Sequence, residues 1–191
     1  MTIIRPMAGP DDVAVSQIVS ECYRIIAEPD ALTPSQRERM IAERCQPCHM
    51  AINRTKFTCY VAEVDGKVVG FMASSGSRVE ELFVHPKHHR HGIAAALFRK
   101  AESECRDSVL TVGTTGYGLP FYQAMGMHVT GTRVVTFGPL EGRELTELEK
   151  KRPNQASHAT SEPAPSAVSS AREGGRWEWG NHNERIQRTD P

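Results

Sequence analysis

The chain has 191 residues, and its 23 Lys and Arg residues balance its 23 Asp and Glu residues, so its formal net charge is zero. We therefore expect no nucleic-acid partner and no binding to an anionic membrane, because both interactions require an excess of positive charge. The length suffices for one domain with a sizeable core and an extension beyond it.

The sequence also gives no indication of export or membrane insertion. No apolar run approaches the roughly 20 residues that a membrane-spanning helix needs. The first six residues lack the charged and apolar regions of a secretion signal. Without such a signal, five cysteines, an odd number, favour reduced thiols. We therefore predict a cytoplasmic protein, and the sequence leaves a homodimer open.

The first half of the chain predicts a strand, two helices and a pair of further strands. In chain order these are the strand Thr2–Met7, a helix opened by Gly9-Pro10-Asp11-Asp12, a second helix from Thr33 to about Arg44, and the strands Phe57–Val64 and Lys67–Ser74. The second helix begins with a capping-box pattern, Thr33 with Gln36. The dipeptide Asp65-Gly66 is typical of a tight turn between two antiparallel strands.

The second half predicts alternating strands and helices, followed by a tail. The elements are the strand Val79–Val84, a helix from about Arg90 to Cys105, the strand Ser108–Val112, a short helix Leu119–Met125 and the strand Val129–Phe137. After about residue 150 the chain is rich in Ser, Ala, Pro and Glu, which cannot offset the entropy of ordering. We predict a folded domain over residues 1–145 and a disordered tail over 146–191, in which Trp177 and Trp179 are plain tail rather than a docking peptide.

The segment from Val84-His85-Pro86 to Ala95 is the most informative part of the chain. It leads from an apolar strand through a basic turn into a helix that begins with small residues. The first amides of a helix have no intrahelical partners and lie at the positive end of its dipole. Because Gly92 and Ala94 have almost no side chain, a phosphate could approach this backbone closely. The segment therefore predicts a phosphate-binding cradle.

The order of residues in this segment resembles the acetyl-CoA signature of the GNAT acetyltransferase superfamily. That signature is a strand with Val-x-Pro, followed by Arg/Gln-x-x-Gly-x-Gly/Ala. Here His89 takes the Arg/Gln place, Gly92 and Ala94 take the two small-residue places, and Arg90 stands where many relatives have glycine. The resemblance implies an α/β fold, with a mixed, mostly antiparallel sheet flanked by helices in the order βααβββαβαβ.

The same resemblance implies an N-acetyltransferase that moves acetyl from acetyl-CoA to a primary amine. Its strands before and after the cradle helix would splay apart where the pantetheine arm enters. A backbone amide near Phe83 or Val84 would then stabilise the oxyanion. By the same resemblance, the cofactor-binding residues are Phe83, Val84, His89, Arg90, His91, Gly92, Ile93, Ala94, Ala95 and Thr115. Thr115 occupies the place of an asparagine that contacts the cofactor in many relatives.

A second motif, Leu119 to Met127, resembles the family's Phe-Tyr-x-x-x-Gly-Phe, with Met127 in place of the last aromatic residue. The resemblance gives Tyr122 the role of general acid beside the CoA sulfur. A phenol with a pKa near ~10 is protonated at neutral pH and can donate to a departing thiolate. The alternative for Tyr122 is an aromatic residue on the core face of a helix.

The general base is predicted from the two adjacent carboxylates of the strand before the cradle. An amine arrives charged at neutral pH and has to lose a proton before it attacks. Since neighbouring residues of a strand point to opposite faces, only one of Glu80 and Glu81 should face the acceptor. Relatives most often have their carboxylate at the position of Glu80, so Glu80 is favoured and Glu81 is the second choice. The alternative is that both are solvated strand carboxylates.

Two further patterns have a chemical and a structural interpretation. Cys45-Gln-Pro-Cys48-His49 matches a haem-attachment motif, but we interpret it as the end of the second helix and a loop, with a redox-sensitive pair left open. The histidines 85, 88, 89 and 91 are interpreted as a basic rim for an anionic cofactor rather than metal ligands, so no metal is expected. Cofactor affinity should then weaken as the pH rises through about 6–7.

The sequence leaves the acceptor amine open among small molecules, amino acids and protein amines. We expect direct transfer in a ternary complex, because no cysteine lies in a motif that would make it an acyl carrier. Acceptor specificity should reside between about Tyr23 and Met50. The rival hypothesis is a catalytically weak acyl-CoA-binding regulatory module.

Overall fold

The computed structural model describes residues 1–25 and 32–151, which form one seven-stranded sheet with helices on both faces. The strands are β1 (Thr2–Pro6), β2 (Thr58–Val64), β3 (Lys67–Ser75), β4 (Arg78–Val84), β5 (Val109–Thr114), β6 (His128–Val134) and β7 (Glu144–Lys151). The helices are α1 (Asp12–Ile25), α2 (Pro34–Arg44), α3 (Pro47–Lys56), α4 (Ile93–Glu104) and α5 (Leu119–Ala124). Short 3-10 turns, Gly9–Asp11 and Pro86–His88, precede α1 and follow β4.

The strand order is β1-β2-β3-β4-β5-β7-β6, and among these described strands only β4 and β5 pair in parallel. The predicted α/β fold with a mixed, mostly antiparallel sheet is confirmed. The predicted local signals are present as well. Asp65 and Gly66 both have positive φ, 50° and 74°, as a tight hairpin turn requires. Thr33 caps α2 and accepts a hydrogen bond from the Gln36 amide.

Two elements were not predicted. The segment after Cys45 forms α3 rather than a loop, and Pro47 occupies its first turn, where a missing N–H costs nothing. The strand β7 lies between β5 and β6, although its sequence, ELTELEKK, is mostly charged. Only its Leu148 is fully buried. The predicted domain end at residue 145 was therefore wrong, because residues 146–151 belong to the sheet. The rest of the predicted tail, 152–191, lies outside the described residues.

Each face of the sheet has its own apolar cluster. On one face α4 and α5 pack over β2–β5 and β7, with Leu97, Phe98 and Leu110 at the centre. On the other face α1, α3 and the end of α2 pack over β2 and β3, around Met50 and Phe71. No helix in the described ranges is long and apolar enough to cross a membrane.

Helix α4 lies unusually close to the sheet. A Cβ at Gly70 of β3 would come within 3.1 Å of Leu97 and 3.2 Å of Ile93. The absence of a side chain at Gly70 thus lets the first turns of α4 settle directly on the central strands. This contact fixes the position of the turn that precedes α4, where the candidate site begins.

Candidate active site

The parallel strands β4 and β5 pair over a short distance and then separate. Their register contains only Arg78 with Thr111 and Val79 with Val112, although β4 continues to Val84 and β5 to Thr114. Beyond Val79, the edge of β4 that faces β5 has no strand partner in the part of the chain that the structure describes. The sheet therefore contains a gap in its middle, where β4 and β5 are not paired with each other. The resemblance to the GNAT family implied such a separation of the strands on either side of the cradle helix.

The turn before α4 leads directly to this gap and ends in free amides. Gly92 precedes the helix with φ 76°, and the first intrahelical hydrogen bond runs from the Ala96 amide to the Gly92 carbonyl, at 3.0 Å. The amides of Ile93, Ala94 and Ala95 therefore have no intrahelical acceptor. A Cβ at Gly92 would meet nothing within 4 Å, so the approach is open. This arrangement fits a phosphate group.

The histidines of the turn take two different positions. His89 contacts the Val84 carbonyl through Nε2 at 2.8 Å, and the Cys22 thiol donates to the same oxygen at 3.2 Å. His85 lies 3.0 Å from a carboxylate oxygen of Glu21 in α1. These contacts tie the turn to β4 and α1. His91, by contrast, is exposed.

Arg90 of the turn is also exposed, and its backbone is unusual. It has φ 64°, the left-handed region that favours glycine. Glycine would adopt this conformation without a Cβ penalty, which fits the glycine that the resemblance implies at this position. In this chain the arginine adds a positive charge to the turn and also strains its backbone, because a residue with a Cβ disfavours this conformation.

Strict alternation does not hold at the two carboxylates of β4. Ala73 of β3 pairs with Glu81 but Ser74 pairs with Val79, so Glu80 is the extra residue of a β-bulge. The Glu80 carboxylate accepts a hydrogen bond from Ser75 and lies 3.7 Å from Arg78 Nε. Ser75 shares its face of β3 with Ala73, which belongs to the cluster beneath α1 and α3. Glu80 is therefore held in a local ion pair on this side.

The Glu81 side chain points to the same side of the sheet as Glu80 and is held by a hydrogen bond from α3. The Asn53 amide of α3 donates to Glu81 Oε1 at 3.1 Å. Burial raises the pKa of Glu81 to about 7, and the negative charge of Glu80 adds to the rise, while the Asn53 hydrogen bond and Arg44 oppose it. A carboxyl group with a pKa close to neutral pH is well suited to accept a proton.

Tyr122 approaches from the opposite face. It lies in α5, and its ring packs against Phe98 and Phe121 at centroid distances of 6.0 and 5.1 Å. Burial raises the pKa of its phenol above the ordinary value, so the group stays protonated at neutral pH. Gly118 makes this approach possible, because a Cβ there would lie 2.3 Å from the Thr114 hydroxyl and 3.5 Å from the Tyr122 ring.

Among the predicted cofactor-binding residues, Thr115 and Phe83 have well-defined neighbours. The Thr115 carbonyl accepts from the Gly118 amide at 3.1 Å, which turns the chain from β5 into α5. The Phe83 ring packs against Tyr23 of α1 at 5.5 Å. The Phe83 side chain therefore lies on the Glu81 side of β4, and the Phe83 backbone pairs with Phe71 of β3.

A band of ion pairs crosses the sheet on the face that carries Glu81, and the sequence did not indicate it. Arg78 of β4 and Arg133 of β6 both donate to the Glu147 carboxylate of β7 at 2.9 Å. Gly113 of β5 lies between them, and a Cβ there would be 2.7 Å from both Arg78 and Glu147. Burial raises the pKa of Glu147, but the two arginines, which donate hydrogen bonds to it, together outweigh burial and hold this pKa below its ordinary value. The band joins the two sides of the gap.

The cysteine motif takes a structural place. Cys45 is buried at the end of α2, Cys48 is exposed in the first turn of α3, and all five cysteines are free thiols. No group of three His, Cys, Asp or Glu side chains in residues 1–25 and 32–151 is arranged to hold a metal ion.

Comparisons with known proteins agree with this geometry. The family model described as an acetyltransferase (GNAT) domain matches residues 30–139, more than half of the chain. The chain therefore belongs to the GNAT acetyltransferase family, which confirms the predicted class of enzyme. No curated protein sequence matches it significantly.

Solved structures resemble the fold at low sequence identity. A GCN5-related N-acetyltransferase from Rhodopseudomonas palustris is 18% identical, with a TM-score of 0.72 over 80% of this chain and 96% of that chain. yncA from Salmonella typhimurium, determined with its cofactor acetyl-CoA, is 19% identical, with a TM-score of 0.56 over 84% and 99%. The PaiA N-acetyltransferase from Thermoplasma acidophilum, in complex with coenzyme A, is 16% identical, with a TM-score of 0.59 over 80% and 99%.

Proposed function

We propose that this protein transfers an acetyl group from acetyl-CoA to a primary amine by direct attack in a ternary complex. The observation that carries the proposal is the gap between β4 and β5, with Glu81 on one face of the sheet and Tyr122 on the other. The acyl carbon held in this gap would meet a base on the side of the incoming amine. It would meet an acid on the side of the departing sulfur.

The cosubstrate's diphosphate would bind to the cradle. The free amides of Ile93, Ala94 and Ala95 supply donors at the positive end of α4. Arg90 is exposed beside them and adds a cationic side chain, and the exposed His91 lies next to it. The unpaired edge of β4 would then hydrogen-bond the amide groups of the pantetheine arm. That acetyl-CoA and coenzyme A are bound in two structures of similar fold supports this assignment.

The acid–base assignment follows from the surroundings of each group. Glu81 takes the proton that the substrate ammonium group loses. The amine nitrogen of the substrate then forms a bond to the acyl carbon. The charge that develops on the acyl oxygen is stabilised by a backbone amide of the open edge of β4 near Val84, because the Phe83 backbone pairs with β3. As the carbon–sulfur bond breaks, the Tyr122 hydroxyl donates its proton to the thiolate. Glu80 is the second choice for the base because its carboxylate already pairs with Arg78.

An amine panel monitored by thiol release tests this function. We expect wild type to release CoA thiol in the presence of at least one small or peptidyl amine. Tyr122→Phe should lose roughly 10- to 100-fold in kcat at unchanged CoA affinity, because the leaving thiolate, with a pKa near ~8.5, needs only moderate protonation. Tyr117→Phe is the matched control, since Tyr117 is 45% exposed on the turn before α5.

Two results would contradict the proposal. Tight CoA binding with no acetylation of any amine would favour the regulatory binding module. Acetyl groups on a cysteine after incubation with acetyl-CoA alone would contradict direct transfer.

A further inference from the structure

Asn53 is a polar residue in a place where an apolar one would be expected. It lies inside α3 and is only 2% exposed. Asparagine is a poor residue for a helix interior, and a buried amide without partners is costly. Neither helix formation nor core packing therefore favours asparagine at this position. The hydrogen bonds that it makes have to account for it.

Two hydrogen bonds of Asn53 serve different purposes. Its backbone carbonyl accepts from the Phe57 amide at 2.8 Å and closes the last turn of α3. Its side-chain amide donates to Glu81 Oε1 at 3.1 Å, across 28 positions of sequence. Because the closed turn fixes the backbone of Asn53, its side chain reaches β4 from a rigid position.

We propose that Asn53 is a positioning residue for the reaction, fixing the Glu81 carboxylate and favouring the ionised form that accepts the proton of the amine. The inference rests on the proposed role of Glu81 as the base. Nothing in the sequence pattern indicated it, because a single asparagine in a helix has no motif around it.

An amide suits this task because it is uncharged and carries hydrogen-bond donors. The NH₂ group donates to the carboxylate and so favours its ionised form over the protonated one. A leucine offers no donor, and an aspartate would oppose the carboxylate with a second negative charge.

Other groups around Glu81 set the background against which Asn53 acts. Burial and the adjacent Glu80 favour the protonated form, whereas Arg44 at the end of α2 favours the ionised form. Tyr23 of α1, Cys45 after α2 and Cys59 of β2 also face Glu81. Burial raises the pKa of Tyr23 well above its ordinary value and that of each of these two cysteines to about 12, so all three are uncharged at neutral pH. Asn53 therefore works with Arg44 against burial and Glu80.

The pH dependence of kcat tests the proposal in Asn53→Leu and Asn53→Asp, with the most reactive amine at saturating concentrations. In wild type we expect an acidic limb with a midpoint near the Glu81 pKa of about 7. Asn53→Leu should move the midpoint up by about one pH unit. That shift lowers kcat at pH 7 by roughly fivefold and leaves the plateau at high pH largely intact. Asn53→Asp, with nearly the same shape, should move it further.

Ser16→Ala is the matched control for weakened packing of the helices. Ser16 is buried in α1 and donates its hydroxyl hydrogen bond to the Cys45 carbonyl rather than to Glu81. This variant should have the wild-type midpoint even if its thermal stability falls. A uniform loss of kcat in Asn53→Leu without a shifted midpoint would reduce Asn53 to a structural residue and overturn the proposal.

Two measurements separate this proposal from the assignment of the base. An acidic limb that survives in Glu81→Gln would remove Glu81 as the base. An acidic limb that disappears in Glu81→Gln but keeps its wild-type midpoint in both Asn53 variants would overturn the positioning role of Asn53 and leave Glu81 as the base. If no amine reacts, ¹³C NMR titration of the Glu81 carboxyl in wild type and Asn53→Asp still decides whether Asn53 favours the ionised form.

Discussion

The cradle before α4 and the carboxylate site beneath α3 are built in different ways. The cradle consists of backbone: three free amides and a glycine within four consecutive residues, Gly92 to Ala95. The carboxylate site consists of side chains from distant segments, with Asn53 and Glu81 brought together by the packing of α3 on the sheet. Backbone sites should therefore respond to changes of local conformation, and the side-chain site to changes of charge and hydrogen bonding.

The strongest test of this difference is Glu81→Gln beside Glu80→Gln. General-base catalysis typically contributes on the order of 10²–10⁴ in rate, so we expect Glu81→Gln to lower kcat by at least roughly 100-fold. Glu80→Gln should cost less than about fivefold, because its carboxylate is held in a local pair with Arg78. Both variants should keep wild-type CoA affinity, measured by calorimetry. A larger loss in Glu80→Gln would reverse the assignment.

The raised pKa of Glu81 also has a consequence for stability. A carboxyl whose pKa rises from 4.5 to about 7 on folding binds more protons in the folded than in the unfolded chain between these values. Its contribution to stability is complete below pH 4.5 and is lost as the pH rises through 7. The loss is at most about 3 kcal/mol, and solvent screening reduces it.

Urea unfolding between pH 4 and 8 measures this effect as the difference between wild type and Glu81→Gln. Relative to that variant, wild type should become less stable as the pH rises. A difference that is constant with pH would show that Glu81 has the same pKa in the folded and unfolded chain.

Gly92→Ala tests the cradle as a backbone site. Its φ of 76° costs a non-glycine residue about 1–2 kcal/mol, and relaxation of the turn would move the free amides. CoA affinity should then fall roughly 5- to 30-fold. Gly76→Ala is the matched control: Gly76 has φ 55° in the β3–β4 turn and nothing within 4 Å of a Cβ. It should lose similar stability without a change in CoA affinity.

Arg90 gives the smallest expected effect and separates charge from conformation within the cradle. Arg90→Gly removes the strain at φ 64° but adds the entropy of glycine, so stability should change by less than about 1 kcal/mol. CoA affinity should fall about two- to threefold at low salt and be nearly unchanged at high salt. Arg90→Ala should have the same affinity but lower stability than Arg90→Gly. Equal stability of the two variants would mean that the turn does not need the left-handed conformation.

The contrast between these sites also explains what could be predicted from the sequence. Gly92, Ala94 and the hairpin at Asp65-Gly66 act within a few residues, so local pattern was sufficient for them. The helix α3 was missed because its buried face includes the polar Asn53, and β7 was missed because Glu147 and its neighbours give it the composition of a tail. The pairs Asn53–Glu81 and Arg78–Glu147 join residues 28 and 69 positions apart. Only the folded chain reveals such contacts.

The bulge at Glu80 illustrates the same limit. Alternation along a strand predicted that Glu80 and Glu81 would point to opposite faces, and a single extra residue in β4 removed that rule locally. No residue type in Arg78-Val79-Glu80-Glu81 indicates a bulge. The choice between the two carboxylates therefore depended on their partners, Arg78 and Asn53, rather than on their position in the motif.

The two-pair junction between β4 and β5 divides the sheet into a four-stranded and a three-stranded unit. Few backbone hydrogen bonds join the two units, which are otherwise held together by the Arg78–Glu147 ion pair and by the helices α4 and α5 that pack across both. Amides of β5 and β7 should therefore exchange with solvent through partial opening events that leave β2 and β3 closed. A molecule bound in the gap would hydrogen-bond to both units and make them exchange as one. Deuterium uptake, followed strand by strand, would thus report occupancy of the gap at a distance from the bound molecule itself.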